Sequence, residues 1–309
     1  YKPSVDTFPS KLARLVTARY QAGRKGLVFI PCELIENNGN TLRDCILRYL
    51  DNPKVIDYVN RECRFCNTLV DRIVSGFPRD DVPRYRDKLG YDDRLIVCAE
   101  PFYFFALEGA EDLRDELPFR EAGLDVVFTQ DLRPYRTRKV RFLNGAHTAS
   151  VLAAHLAGHT FVDEMVRDPR FNTYLRAILF DEIFPTVNLP DAEKRAFAES
   201  VLERFANPFA QHRLLSIALN SVSKWKVRIL PTILDYLKIF GKLPPNLTQS
   251  MASLINFYRT PDINDTPEVM AFFATKPSVR DILAAELLWG QDLNMIPGFT
   301  QTIENGVSR

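Results

Sequence analysis

One short stretch of the chain carries a cation, an amide and an imidazole in the pattern Lys139-x4-Asn144-x2-His147. At about 100° per residue, these side chains would share less than half of the circumference of an α-helix. A lysine in a partly dry cleft can lose its proton and act as a general base, and an asparagine amide can donate to an oxygen that gains negative charge. With a histidine to orient that oxygen, the set suits carbonyl–alcohol chemistry. On spacing alone, a surface lysine, a helix cap and a hydrogen-bonded histidine are the more usual interpretation.

This stretch needs a helix to hold it, and the sequence predicts one from about residue 136 to residue 157. Apolar residues continue at helical spacing after His147, and Gly158 is a typical C-terminal stop. Gly145 lies inside the predicted helix, where glycine costs about 1 kcal/mol relative to alanine. We therefore expect another group to approach Gly145 closely.

The patterning changes character near residue 132. Short apolar runs alternate with helical periods before that point, and helical periods dominate after it. We predict an α/β domain over residues 1–131, followed by an all-α domain over residues 132–309. The predicted strands cover residues 27–31, 67–74, 94–98, 102–107 and 124–130. The predicted helices cover residues 10–22, 41–50, 54–63, 136–157, 160–166, 170–184, 191–205, 209–224, 229–240, 247–257 and 278–289.

Composition and charge argue against several classes of function. Forty basic and 39 acidic residues leave a formal charge of +1, which favours neither nucleic acid nor a membrane surface as partner. No apolar run reaches the roughly 18–20 residues of a membrane-spanning helix, and no signal peptide opens the chain. The five cysteines therefore indicate reduced thiols and a cytoplasmic protein, with Cys63 and Cys66 interpreted as structural.

A positively charged group follows in the second half of the chain. Lys224 and Arg228 lie at helical spacing after Asn220, and His212 precedes them. Such a stripe is usually a solvated face. Because the residues around it are apolar, it could instead close a pocket for an anionic group.

Two histidines, His155 and His159, have the i,i+4 spacing of a metal site, with Glu164 behind them. Gly158 is expected to end the helix before the second histidine, and the glutamate does not lie between the two. We therefore predict no metal site.

Two polar segments interrupt the α/β half. The loop 37–40 follows the predicted strand 27–31, and Asp71 and Arg72 lie within the predicted strand 67–74. Loops at strand ends often bind ligands, although turn and capping chemistry is the more common role of such asparagines. Charged residues in an apolar strand need partners, so Asp71 and Arg72 either pair structurally or face a site.

Several of these motifs, in their order along the chain, resemble the mannitol dehydrogenase family of zinc-independent polyol dehydrogenases. They are Asn38-Gly39, Val70-Asp71-Arg72-Ile73, Glu100-Pro101-Phe102 and Lys139-x4-Asn144-x2-His147. The resemblance covers nearly the whole chain. It implies the C-terminal part of a Rossmann-like nucleotide-binding domain followed by a helical substrate domain, with NAD as the cofactor and no metal.

The resemblance also implies roles for individual residues. Lys139 would be the general base toward the substrate hydroxyl. Asn144 and Asn38 would stabilise the alkoxide, and His147 would position its oxygen. Asp71 would lie near the cofactor.

Within the family, the stretches 32–39, 143–148 and 215–220 look most like members that interconvert D-tagaturonate and D-altronate. A sugar acid of this kind carries a carboxylate. Lys224, Arg228 and His212 are the residues that we expect to bind it. Family members that act on fructuronate or on mannitol 1-phosphate also need cations at the substrate, so they remain alternatives.

The beginning of the chain bears on this expectation. The sequence opens at Tyr1 and not at methionine, and it contains no G-x-G. We expect that the glycine-rich part of the nucleotide-binding domain precedes it. A non-catalytic helical module that retains the family fold is the alternative from another class, while for the enzyme we expect a small sugar acid or polyol as the partner.

Overall fold

The computed structural model of the protein describes residues 6–124 and 126–307. They form two compact units. The first contains the described residues up to Arg72 together with Pro101–Arg136, and the second contains Ile73–Glu100 and the described residues from Thr137 onward. An α/β part and a helical part are thus both present, and the predicted fold class is confirmed.

Two helices of the first unit begin at residues whose side chains cap them. The Thr7 hydroxyl accepts a hydrogen bond from the Ser10 amide, and the Ser10 hydroxyl accepts one from the Thr7 amide. Asn52 caps the helix that begins at Pro53. The helices of this unit are Phe8–Gln21, Asn38–Leu47 and Pro53–Glu62, with a 3-10 turn at Glu111–Leu113.

Two small sheets complete the first unit. Val28–Phe29 pairs in parallel with Arg64–Phe65, and the Phe29 and Phe65 rings stack with centroids 4.6 Å apart. In the other sheet, Phe104–Glu108 lies between Thr68–Asp71, to which it is antiparallel, and Val126–Thr129, to which it is parallel. The predicted strand 124–130 is thus shorter than expected, and Asp125 within it lies outside the described residues.

The second unit is mostly helical. A buried aromatic group, in which Trp225 packs edge-on against Trp289 and Phe299, forms part of its core. The α-helices from residue 146 onward are Ala146–Leu156, Val162–Arg167, Pro169–Arg176, Asp191–Phe205, Leu214–Ala218, Ser221–Arg228, Leu230–Phe240, Pro245–Phe257, Pro267–Ala274, Val279–Ala284, Glu286–Trp289 and Phe299–Gly306. Short 3-10 turns occur at Arg79–Asp81, Phe184–Thr186, Pro208–Ala210 and Leu293–Met295.

One segment of the α/β half belongs to this helical unit. Val74–Gly76 pairs antiparallel with Cys98–Ala99, and the helix Val82–Leu89 lies between them in the chain. The predicted strand 67–74 is therefore two strands, because the chain leaves the first sheet after Asp71.

Four predicted helices differ from a single α-helix. The predicted helix 278–289 is divided into Val279–Ala284 and Glu286–Trp289. The predicted helix 170–184 consists of Pro169–Arg176 followed by a π-helix at Ala177–Ile183.

The predicted helix 209–224 is broken, because Gln211 and Asn220 adopt left-handed backbone conformations that end helical segments. The predicted helix 136–157 is continuous but not α-helical throughout. It consists of Arg133–Arg138, a π-helix at Lys139–Gly145, and Ala146–Leu156.

Among the described residues, no helix combines the length and the apolar character that crossing a membrane would require.

Candidate active site

The π-helix Lys139–Gly145 coincides with the first part of the lysine–asparagine–histidine motif. Single π-helical turns inside α-helices are rare and are often found at functional sites. The motif therefore occupies the one stretch of its helix where the backbone departs from α-helical geometry.

This geometry changes how Lys139 and Asn144 lie relative to each other. In an α-helix, residues five apart point about 140° away from each other. In a π-helix the backbone bonds join residue i to residue i+5, so side chains at this spacing lie one above the other. Both side chains are partly buried. The spacing of four intervening residues thus places the amine and the amide on one side of the helix.

His147 lies in the first turn of the following α-helix and is buried. Its ring stacks on that of Phe205, with centroids 3.8 Å apart and planes 11° apart. The ring of His212 meets it edge-on at 5.6 Å. Nε2 of His147 has no hydrogen-bond partner among the described residues.

Burial is the main cause that holds the pKa of His147 well below its ordinary value of 6.5. The positive charges of His212, Arg228, Arg204 and Lys224 lower it further. The imidazole is therefore neutral near pH 7, so one ring nitrogen can accept a hydrogen bond and the other can donate one.

A small cavity of about 10 Å³ lies beside His147, enough for roughly one water molecule. Ile73, Asp163, Arg204, Phe205 and His212 contribute to its lining. Of these residues, the sequence indicated His147 and His212 as candidates, and Ile73 as the last residue of the Val70-Asp71-Arg72-Ile73 motif. The others carry no local signal, because they come from segments far apart in the chain.

The predicted anion-binding residues cluster around the same histidine. Lys224 donates to the Ile217 carbonyl at 2.8 Å, and Arg228 donates to the Thr148 hydroxyl at 3.2 Å. Within residues 6–124 and 126–307, neither cation forms an ion pair with a carboxylate. Burial is the main cause that lowers the pKa values of Lys224, Arg228 and His212.

These cations also act on one another. The charge of Arg228 lowers the pKa of Lys224, and that of Lys224 lowers the pKa of His212. A bound anion would offset the cost of burying these positive charges and would reduce the repulsion between them. The cluster therefore suits a negatively charged group.

Asn38 belongs to the first unit and is buried. Its Nδ2 donates to the carbonyl oxygens of Pro31 and Glu33 and to the hydroxyl of Thr68, at 2.9, 3.1 and 2.9 Å. Its Oδ1 accepts from the Thr68 and Gly39 amides. Asn38 therefore connects the segments that follow the two parallel strands. A hydrogen bond from Asn38 to the substrate would have to replace one of the hydrogen bonds just described.

Asp71 is the last residue of the strand that begins at Thr68, the residue to which Asn38 is hydrogen-bonded. Asp71 is also buried. In α/β sheets, ligands bind beyond the carboxyl ends of the strands. Asn38 lies at such an end, because its partners Pro31 and Thr68 follow the parallel strands Val28–Phe29 and Arg64–Phe65 in the chain.

Gly145 has only ordinary neighbours. A Cβ atom there would lie 3.4 Å from the Val140 carbonyl and 3.5 Å from the Arg228 carbonyl. Gly39, in contrast, would place a Cβ atom 2.6 Å from the backbone of Cys66. The close approach expected at Gly145 is thus found at Gly39.

The two histidines with metal-like spacing have different carboxylate partners. His155 Nε2 lies 3.0 Å from Asp262, and His159 Nε2 lies 3.2 Å from Asp168. Within the described part of the chain, no group of three or more histidine, cysteine, aspartate or glutamate residues could hold a metal ion.

Solved structures share this fold. The structure of Pseudomonas fluorescens mannitol 2-dehydrogenase in ternary complex with NAD and D-mannitol covers 97% of this chain and 63% of its own, at 24% identity and a TM-score of 0.75. A D-sorbitol dehydrogenase in substrate-free form covers 96% and 63%, at 22% identity and a TM-score of 0.81. The fold is therefore that of the polyol dehydrogenases.

The chain belongs to the mannitol dehydrogenase family. Residues 4–120 match the mannitol dehydrogenase Rossmann domain, and residues 131–309 match the mannitol dehydrogenase C-terminal domain.

Among its relatives, altronate oxidoreductase of Bacillus subtilis is 42% identical over 315 residues, covering 96% of this chain and 65% of that protein. Altronate oxidoreductase of Yersinia enterocolitica is 41% identical over 317 residues, covering 94% and 66%. The chain thus spans slightly less than two thirds of the length of these relatives.

Proposed function

We propose that this chain is part of an NAD-dependent oxidoreductase that interconverts D-altronate and D-tagaturonate. The observation that carries the proposal is the pair of half-buried cations Lys224 and Arg228, together with the His212 imidazole, beside His147. A sugar acid supplies the anion that such a cluster suits. The names of relatives at about 40% identity support this choice of substrate.

The chain's own side chains would divide the chemistry as follows. Lys139 takes the proton from the substrate hydroxyl, and the Asn144 amide donates to the oxygen as it becomes an alkoxide. Neutral His147 orients that oxygen by a hydrogen bond. Lys224 and Arg228 hold the carboxylate, and His212 lines the same side.

NAD would supply the hydride acceptor for the substrate carbon. The residues present fit a nucleotide at the carboxyl edge of the parallel strands, where Asn38 closes the segments that begin at Pro31 and Thr68. The roles of Asn38 as a second donor to the alkoxide, and of Asp71 near the cofactor, stay predictions. The boundary between the two domains at residues 131 and 132 and the cytoplasmic location of the protein also stay predictions.

A substrate panel tests the proposal. We expect the full chain, with the remainder of its protein, to reduce NAD with D-altronate much faster than with D-mannonate, mannitol or mannitol 1-phosphate. A preference for D-mannonate would instead make the protein a fructuronate reductase, and a preference for mannitol 1-phosphate a mannitol-1-phosphate 5-dehydrogenase. No turnover with any of the four would favour a non-catalytic helical module.

A further inference from the structure

A buried ion pair in the second unit has no part in the chemistry described above. Nε and Nη2 of Arg204 donate to the carboxylate of Glu100 at 2.8–3.1 Å, and the two side chains are only 4% and 2% exposed. The same carboxylate accepts from the Ile73 amide at 2.6 Å, and the Glu100 amide donates to the Ile73 carbonyl at 3.0 Å. Glu100 therefore joins the start of the 73–100 segment to the helix Asp191–Phe205.

This ion pair leads directly to the proposed active site. Phe205 follows Arg204 as the last residue of that helix, and its ring is the one that stacks on His147. Ile73, Arg204, Phe205 and His147 line the same cavity. A continuous series of contacts thus runs from Glu100 through Arg204 and Phe205 to the imidazole.

Phe205 is the last residue of its helix, where such support can act. Terminal residues of helices fray, because the last backbone carbonyls lack helical partners. His147 Nε2 makes no hydrogen bond within the described residues, so stacking contributes much of what fixes the plane of the ring. The charge-assisted bonds between Glu100 and Arg204, the residue beside Phe205, hold the end of the helix in place.

We propose that Glu100 is a positioning residue: through Arg204 it holds Phe205 against His147 and so fixes the orientation of the imidazole. The catalytic consequence of this inference rests on the proposed function, whereas its structural part does not.

Histidine NMR of the full chain tests the structural part. The chain has only four histidines, and a His147→Phe variant assigns the signal of His147. Stacking on a phenyl ring shifts the imidazole protons upfield. The Phe205→Leu variant gives the position of the signal without stacking.

Glu100→Gln is expected to move the His147 signal most of the way to the Phe205→Leu position and to lower kcat by roughly 10- to 100-fold, with less effect on KM. Glu199→Gln is the matched control, because Glu199 lies on the same helix and pairs with Arg176 at 3.5 Å on the surface. It should leave both the signal and kcat unchanged. If Glu100→Gln does not fold, Arg204→Lys, which keeps the charge but loses the paired bonds, takes its place.

A folded Glu100→Gln variant with the wild-type His147 signal would overturn the inference, as would an equal shift in Glu199→Gln. A moved signal with unchanged kcat would overturn the catalytic consequence alone. Oxidation of D-altronate by the unmodified protein tests the proposed function separately, so the two failures can be told apart.

Discussion

Lys139 is the residue on which the proposed chemistry depends most. A positioned base contributes about 10²–10⁴-fold to the rate of such a reaction. We expect Lys139→Ala to lower kcat by about this factor while the far-UV circular dichroism and the melting temperature stay close to those of the unmodified protein. Lys238→Ala, at an exposed position, serves as the control. Normal turnover in Lys139→Ala would contradict the assignment of Lys139 as the general base.

In the proposed function, the cations beside His147 bind the carboxylate of the substrate. A hydrogen bond to a charged group contributes about 1.5–3 kcal/mol, which corresponds to roughly 10- to 100-fold in binding. We expect Lys224→Ala and Arg228→Ala each to lower kcat/KM for D-altronate by this factor and to affect mannitol much less. Steady-state kinetics with both substrates measure the difference.

Lys226→Ala is the matched control for these two variants, since Lys226 lies on the same helix. Equal losses toward the acidic and the neutral substrate would contradict the assignment of Lys224 and Arg228 to the carboxylate.

His147 makes the stability of the protein depend on pH. Its pKa is well below 6.5 in the folded chain and near 6.5 in the unfolded chain, so the folded state binds fewer protons in this range. Stability is therefore full above pH 6.5 and decreases as the pH falls below it. His212, whose pKa is lowered by burial, contributes in the same direction.

We expect His147→Phe, which can still stack on Phe205, to lose less stability than the unmodified protein between pH 7.5 and pH 5.5. Urea unfolding at both pH values measures this. His155→Phe is the comparison variant, because His155 is paired with Asp262 on the surface. If His147→Phe and the unmodified protein lost the same stability between these pH values, other groups would be the cause of the pH dependence.

At the scale of elements, the first turn of the helix Asn38–Leu47 is packed without space for a side chain at Gly39. We expect Gly39→Ala to lower the free energy of unfolding by about 1–3 kcal/mol, because its Cβ atom would overlap the backbone of Cys66. Thermal or urea unfolding measures this change.

Gly145→Ala provides the contrast in the motif helix. The nearest atoms to its Cβ lie at 3.4 Å or more, so we expect unfolding to change by less than about 1 kcal/mol. If the two variants were equally destabilised, the steric argument for Gly39 would fail.

The element boundaries show where local rules suffice. Helices with capping residues were predicted to within a few residues, as for the helix Phe8–Gln21 with its Thr7 cap. The π-helices Lys139–Gly145 and Ala177–Ile183 were not predicted, because hydrophobic spacing does not distinguish i→i+5 from i→i+4 bonding over such short stretches. The breaks at Gln211 and Asn220 were missed for a related reason. Their left-handed conformations depend on neighbours that local spacing does not encode.

At the scale of the whole molecule, the proposed chemistry needs an amine and no metal ion. The histidines with metal-like spacing are each engaged by a different aspartate, Asp262 or Asp168. We therefore expect prolonged treatment with a chelator to leave the rate of D-altronate oxidation unchanged. Strong inhibition that zinc reverses would point to a metal at His155 and His159.

Sequence alone determined the α/β-then-α order, the family and the identity of the motif residues, because periodicity, caps and short motifs are local properties of the chain. Only the tertiary structure decided what surrounds them. The stacking of Phe205 on His147 and the ion pair between Glu100 and Arg204 both join residues that are far apart in the chain. Which of many possible long-range partners meet is set by the packing of the whole unit, since burial and the pairing of buried charges are satisfied jointly and not residue by residue.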